Sequence, residues 1–485
     1  MAGTLRVGRA AFNVTPPLGV RLQGSISRSR PAHRVMDELC GRLLLLESAG
    51  QRYALFTCDL IEFSREFVEE LRHELEERFT LPPANVMLCP SHTHTGPATI
   101  RLGSLRPDPD YLSQLRKRMS GALLAAQEDL REACMSAGRG SAAGRGSAAG
   151  LGINRRLATE RGIRQRPNPA GSVDPEVLVV RFDDPAGKPL AFLVNHATHP
   201  TTLGVQVAEV SADFPGRMRK IVEQAYGSQT MVYFIQGACG DVKAAALGSD
   251  GNFKEGEEED IERLGKILAG EVLKCLETAC RIKGVEVRAL ARRIPFPFRN
   301  LPSSSEFARL EAFHLKEKER WKNADPQTLK EIDWEDRHID RAALHNDMAL
   351  WAAEMRQLAE AGRLIPAEEG ELQAIRIGRQ VALLGIPGEL FSEIGIALKR
   401  SSPFHFTVLC GYANGTLGYL PSRKAILEGG YEVSDAYKLY GFPAGFAEQT
   451  EEILIREAGT LLKDLLEDDP FWDLTPSQRI IKKKE

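Results

Sequence analysis

Val86-Met87-Leu88-Cys89-Pro90-Ser91-His92-Thr93-His94-Thr95-Gly96-Pro97 is the stretch on which the reading of this chain turns. Val86–Cys89 is a short apolar run, which predicts a buried strand. The polar block after it predicts a strand end opening into a loop. Two histidines at i and i+2 point the same way if the backbone stays extended, and Gly96-Pro97 then turns the chain. Imidazole is the commonest nitrogen ligand of zinc. By itself the pair reads equally well as metal-related or as two structural histidines.

Asn195-His196-Ala197-Thr198-His199-Pro200-Thr201 repeats the arrangement at the end of a second apolar run, Phe192–Val194. Four of the ten histidines therefore fall at two predicted strand ends, where α/β proteins place their sites. Such clustering favours one shared site over scattered core histidines. His196 reads either as a hydrogen-bonding support for His199 or as a buried structural residue. Asp213 reads as a helix-start residue, and Asp37 has no assignable role.

Outward from these blocks, strand and helix patterns alternate. Leu43–Leu46 and Tyr53–Thr57 read as strands about Gly50, Phe67–Phe79 as an amphipathic helix and Tyr111–Cys134 as a long helix. Strands follow at Val177–Arg181 and Leu190–Asn195, a helix near Gly216–Ala225, a strand at Met231–Ile235 and a helix over Asp260–Ala279. Leu372–Ile377 and Gln380–Leu384 read as a hairpin, Phe406–Cys410 as a strand and Ala447–Leu465 as a closing helix. This rhythm predicts a single large α/β (α+β) domain with a mixed sheet over 1–465 and a C-terminal tail over 466–485. Two segments interrupt it. In Ala137–Ala148 the hexad Ala-Gly-Arg-Gly-Ser-Ala occurs twice, which predicts a flexible surface loop. Ser304–Ala361 is densely charged, holds Trp321, Trp334 and Trp351, and predicts a helical insertion broken near Asp325-Pro326.

The bulk properties exclude several classes. The chain of 485 residues has a net charge of −3 and 27% charged residues, so no basic excess points to nucleic acid or an anionic membrane. No run is long and apolar enough for a transmembrane helix, and the first residues lack a secretory pattern. Eight cysteines without a CxxC pair suit free thiols in a reducing compartment, so a cytoplasmic location is expected. There is no GxSxG elbow for a serine hydrolase.

Taken in order, the blocks resemble the neutral, non-lysosomal ceramidases. Val7-Gly8-Arg9-Ala10 with Thr15-Pro16-Pro17 is similar to the family's opening. Ser91–Pro97 and His199-Pro200-Thr201 resemble its histidine blocks, and Asn154-Arg155 its NR block. Gln236-Gly237 with Gly240-Asp241-Val242, then Pro387-Gly388-Glu389, then Asn414 to Tyr419 with Tyr431-Glu432 and Tyr440-Gly441, resemble its later blocks. The resemblance runs from about Leu5 to Thr450. It implies one zinc ion per chain held by His92, His199, Glu389 and Tyr419, with His94 as the proton carrier. It also implies that Arg155 and Tyr431 steady the oxyanion of an amide undergoing hydrolysis. A set of N and O ligands fits a catalytic zinc, and zinc brings the pKa of water to about 7.

The chain departs from the family in three ways. Asp241-Val242 is followed by Lys243-Ala244-Ala245 instead of Ser-Pro-Asn. Relative to the family, neither a secretory leader nor a C-terminal β-sandwich is expected from this sequence. Ser304–Ala361 has no place in the family pattern. Three readings stay open: a zinc amidase for ceramide or a related N-acyl amide, a zinc hydrolase for a small non-lipid amide or ester, and a non-catalytic binding module on the same fold. A deep apolar channel would mark the first and a shallow polar pocket the second.

Overall fold

The computed structural model describes residues 4–24, 28, 30–144, 150–227, 229–284, 286–324 and 340–467. Its largest sheet contains β1 (Leu5–Asn13), β2 (Cys40–Ser48), β3 (Gln51–Cys58), β4 (Val86–Pro90), β5 (Arg131–Ser141), β6 (Glu176–Asp183), β7 (Pro189–His196) and β8 (Met231–Gln236). The spatial order is β8-β7-β6-β5-β1-β2-β3-β4, with the short Cys280–Arg281 segment beside β5. β7 and β8 are parallel, as are β3 and β4; the other named neighbours run antiparallel. The mixed sheet expected from the sequence is therefore present. A second sheet holds β9 (Val287–Pro297), β10 (Ala367–Ile377), β11 (Val381–Gly385) and β12 (Phe406–Cys410) in that order.

Side chains alternate across a strand with a period of two, and here both faces are apolar. Leu44, Leu46, Tyr53, Leu55, Met87 and Cys89 turn inward to meet Ile375, Ile377, Leu383 and Val408 of the second sheet. Leu43, Leu45, Ala54, Phe56, Val86 and Leu88 turn outward onto helices α1 (Arg65–Phe79) and α2 (Pro109–Glu128). Phe192, Val194, Val232 and Phe234 likewise meet α3 (Asp213–Tyr226) and α4 (Glu258–Glu277). The outer face of the second sheet, with Ala374, Ala382, Leu384 and Leu409, is covered by the closing helix Thr450–Glu467. The result is four layers, helix-sheet-sheet-helix, whose central core is sheet against sheet.

The two outer strands of the large sheet, β4 and β8, are joined at their C-terminal ends. Gly411 N–H donates to Gln236 O (2.9 Å), Asn414 N–H to Leu88 O (3.1 Å), and Leu88 N–H to Asn414 Oδ1 (2.9 Å). Gln236 Nε2 donates to Ser91 O and Thr198 O (3.2 and 2.9 Å). Tyr412 and Asn414 adopt φ of +60° and +58°, which lets this short segment turn back and touch both strands. Both histidine blocks are thereby brought to one point.

Two expectations need correction. Residues Tyr111–Cys134 are not one helix: α2 ends at Glu128, and Arg131–Ser141 is β5, paired along its length with β6. For the same reason the first part of Ala137–Ala148 is strand and not loop; Ala137–Ser141 is laddered to Glu176–Val180, and 145–148 lies outside the described residues. Glycine at 138 and 140 fits there because a Cβ would collide with Cys275 O and the Glu271 carboxylate at 2.6 and 1.9 Å. The charged insertion is helical as expected, with α5 (Ser304–Lys322) and α6 (Arg341–Glu360) forming a hairpin; Asp325-Pro326 and Trp334 lie outside the described residues. Ser303 opens α5 through a capping box with Glu306. The hairpin packs Phe307, Trp351, Ala352 and Met355 against Tyr437, and Met348 against Leu102 and Leu439. Trp351 Nε1 donates to Phe442 O (2.8 Å). Among the described residues no helix is long and apolar enough to cross a membrane.

Candidate metal centre

β4 delivers the first histidine block. Ser91 and His92 N–H donate to Cys58 O and Leu60 O (2.8 and 2.9 Å), extending the pairing with the β3 strand past its end. His92 then stands at φ +66°, in the left-handed region. His92 and His94 thus share a direction through a turn, not through the extended backbone that the i, i+2 spacing suggested. Thr93 and Thr95 hold the turn by donating their hydroxyls to Ser211 O (2.8 and 2.9 Å). Asp37 braces that contact from behind, accepting from Ser211 Oγ and Ala212 N–H (2.7 and 2.6 Å).

His199 comes from the loop after β7. Asp213, itself at φ +53°, accepts from Thr202 N–H and Oγ1 (2.9 and 2.6 Å), so it pins the loop leaving His199 as well as starting α3. Glu389 lies in a two-residue strand, Glu389–Leu390, parallel to Tyr419–Leu420. Asp241 ties these parts together: it accepts from Asn154 Nδ2 and from Ser392 N–H and Oγ (2.9, 2.7 and 2.9 Å).

His92, His94, His199 and Glu389 converge. His92 Nε2 lies 3.1 Å from His199 Nε2 and 3.2 Å from His94 Nε2. Glu389 Oε2 lies 3.4 Å from His92 Nε2 and 3.2 Å from His199 Nε2. His92 Nδ1 bonds Ile61 O (2.9 Å) and His199 Nδ1 bonds Cys239 O (2.7 Å). A carbonyl only accepts, so the protons sit on both Nδ1 atoms and both Nε2 atoms present lone pairs. Two lone pairs and a carboxylate oxygen thus face one another in a buried space with no proton among them. Glu389 Oε2 has no hydrogen-bond partner. Ligands about 2.0–2.1 Å from a tetrahedral zinc are about 3.3–3.4 Å apart, close to these separations. The residues present fit a metal ion.

The electrostatics agree. Glu389 is buried, yet its contacts with His199 and His92 hold its carboxyl well below the usual range. Burial and the field of Arg155 push His199 down to about 4, and burial with the two neighbouring imidazoles pushes His94 well down. The two lowered imidazoles favour the neutral form that a metal ligand requires.

Three further expected residues, Tyr419, Arg155 and Tyr431, are linked to one another. Tyr419 does not stand within hydrogen-bond distance of the three imidazoles; its hydroxyl accepts from Arg155 Nη2 (2.9 Å). Arg155 also donates to Gly240 O (2.8 Å) and, through Nε, to Glu432 (3.0 Å). Tyr431 is 37% exposed, with its ring centroid 6.0 Å from that of Tyr419. His196 is outside the cluster, bonded to Glu176 O and Thr198 Oγ1 (2.9 and 3.0 Å).

Several residues of the centre carried no assignable signal in sequence. Tyr440, quoted above only as part of a motif, donates to Glu389 Oε1 (2.6 Å). Tyr412 stacks on His92 at 3.9 Å between centroids. Glu62 is fully buried 3.7 Å from His92 Nδ1, and burial with the nearby Glu389 charge pushes its carboxyl well up. Beyond Tyr440 lies a cleft of about 290 Å³ whose walls include Arg65, Arg72, Glu368 and Glu371.

No protein-family model matches the chain, and no curated protein matches it. Two solved structures are similar over 96% of this chain and 75% of their own: a neutral ceramidase from Pseudomonas aeruginosa, with TM-score 0.69 and 17% identity, and a ceramidase complexed with C2, with TM-score 0.68 and 16% identity. The fold described above is therefore the fold of the neutral ceramidases.

Proposed function

We propose that this chain is a zinc-dependent hydrolase that splits an N-acyl amide, N-acyl sphingosine or a relative of it, into a carboxylic acid and an amine. The observation that carries the reading is the meeting of the His92 and His199 lone pairs with Glu389 Oε2, proton-free and buried, on a ceramidase fold. His92, His199 and Glu389 would hold the ion, with Tyr419 as fourth ligand by resemblance. A divalent cation there supplies Lewis-acid polarisation and a nucleophile from water near neutral pH. An N/O donor set suits zinc and admits other first-row metals.

The chain's own residues do the rest. His94 Nε2 takes the proton released as water adds to the carbonyl carbon and passes it to the nitrogen as the C–N bond breaks. Arg155 and Tyr431 are the donors that meet the negative charge arising on the carbonyl oxygen. Arg155 is pre-set for this by Glu432 and Gly240 O. The eight free cysteines are consistent with a cytoplasmic setting.

A second reading, hydrolysis of a small polar amide or ester, has its own support. The cleft beside Tyr440 sets ionic side chains such as Arg65, Glu368 and Glu371 beside apolar ones such as Ile100, Leu417 and Phe442, so it is not a purely apolar acyl channel. A non-catalytic module would have no need of a proton-free donor cluster. The test is zinc content of the wild type, His92→Ala and His199→Ala, read beside turnover of a fluorogenic N-acyl sphingosine. One zinc per chain, lost in both variants, with turnover by the wild type, is the expected result. Zinc without turnover moves the substrate to another amide, and a wild type that takes no metal leaves only the binding module. In His94→Ala, retained zinc with lost turnover identifies a proton carrier. Lost zinc would instead make His94 the fourth ligand, the position its 3.2 Å approach to His92 also allows.

A further inference from the structure

Tyr412 and His92 both stand in the left-handed region, at φ +60° and +66°. A bulky residue keeps that conformation only where its surroundings enforce it, and such positions cluster at functional sites. Tyr412 is fully buried, in the turn that closes β4 on β8. Its ring lies 3.9 Å from the His92 ring between centroids, with 21° between the planes. Its hydroxyl lies 3.1 Å from Cys239 Sγ. Cys239 O is the acceptor that fixes His199 Nδ1 (2.7 Å). Tyr412 N–H donates to Gly388 O (3.1 Å), one residue before Glu389. This one side chain and its own backbone therefore reach the segments that carry His92, His199 and Glu389.

The hydrogen bond from His92 Nδ1–H to Ile61 O (2.9 Å) anchors one edge of the imidazole. A single bond to a carbonyl tolerates a broad range of directions, and any tilt about it swings Nε2, on the far edge of the ring. A flat aromatic face laid nearly parallel to the imidazole takes that freedom away, and an aliphatic side chain of similar bulk does not. We propose that Tyr412 is a positioning residue of the centre. Its ring sets the plane of His92, and its hydroxyl and N–H tie that plane to the His199 and Glu389 segments. The proposal rests on the metal reading of the cluster.

The test uses the full chain as wild type, Tyr412→Leu and Tyr412→Phe. Zinc affinity is read by competition with a chromophoric chelator. Tyr412→Leu is expected to bind zinc about ten- to a hundredfold more weakly, as loss of a support to a ligand does. Tyr412→Phe keeps the flat ring and is expected to stay much nearer the wild type. The second readout is the His92 Nδ1–H resonance of metal-free protein carrying isotope-labelled histidine, assigned by its absence in His92→Ala. It should persist against exchange with water in wild type and Tyr412→Phe, and be lost in Tyr412→Leu. A general loss of packing would lower the melting temperature without singling out this proton. A folded Tyr412→Leu that keeps wild-type zinc affinity, or keeps the resonance, overturns the proposal. If the wild type takes no zinc, the metal reading fails and the resonance alone decides whether Tyr412 holds His92. If Tyr412→Leu does not fold, Tyr412→Met takes its place under the same criteria, since its flexible chain fills the space without a flat face.

Discussion

Tyr440 shows how much one hydroxyl does at this centre. It donates 2.6 Å to Glu389 Oε1, which leaves Oε2 aimed at the imidazoles. Removing a support of this kind costs about ten- to a hundredfold in metal affinity. Tyr440→Phe should therefore weaken zinc binding by about that factor while the fold persists, as read by competition with a chromophoric chelator; unchanged affinity would show that Glu389 needs no such support. Glu389→Gln should lose the metal outright, since the amide brings no charge and can turn its NH2 toward the histidines. Asp241→Asn should behave differently: it swaps an acceptor of three hydrogen bonds for a group that clashes with Asn154 Nδ2 or Ser392 N–H. A loss of stability of about 1–3 kcal/mol in a denaturant titration is expected. At this scale the sequence was informative where residue type and position coincide. Histidines at the ends of apolar strands stand out, and the ordered blocks led to Glu389. Glu62 and Tyr412 gave no cue of their own, because their proximity to His92 is created by the meeting of strands far apart in the chain.

The helical hairpin α5–α6 reaches the centre indirectly, through the 437–442 segment that it clamps with Trp351 and Met348. His314 and His345 face each other in it, Nδ1 to Nδ1 at 3.0 Å. Burial, then the charges of Lys438 and His345, push His314 down to about 4; burial also lowers His345, against the pull of Glu317 and Asp435. A base depressed in the folded state stabilises fully above its unfolded pKa of about 6.5 and loses that contribution as pH falls towards 4. Protection of the hairpin amides in hydrogen exchange should therefore fall between pH 6.5 and 4, and His314→Gln should flatten the change. A pH-independent hairpin would contradict it. The hairpin was legible from its charge density and helix-prone composition, and the strands from their period. Arg131–Ser141 was not: its run of Ala, Cys, Met and Ser continues the helical composition of α2, and only the ladder to β6 makes it strand.

Across the whole molecule, two sheets share one core and their strand ends close on the centre. The sequence announced the alternation of strands and helices but not the four layers, since strands apolar on both faces do not say which neighbour covers which face. A ligand that binds only the closed arrangement stabilises it by mass action, by about 4 kcal/mol when free metal exceeds Kd a thousandfold. Stripping zinc with a chelator should lower the melting temperature, and graded zinc should restore it. A melt indifferent to zinc would mean that the donors are held as firmly without the ion.

The closure of β4 and β8 by residues 411–414 also has a consequence for how the protein is made. Ribosomes deliver the chain from its N-terminus, and His92 and His94 emerge long before Glu389 and the turn that seats it. Closing so long a loop is the slow part of folding. On the proposed metal reading, Glu389 joins the three histidines only after more than three quarters of the chain has been synthesised, so the full donor set forms late. On that reading, a cell starved of zinc would hold finished chains that lack Glu389's ion, not half-made ones.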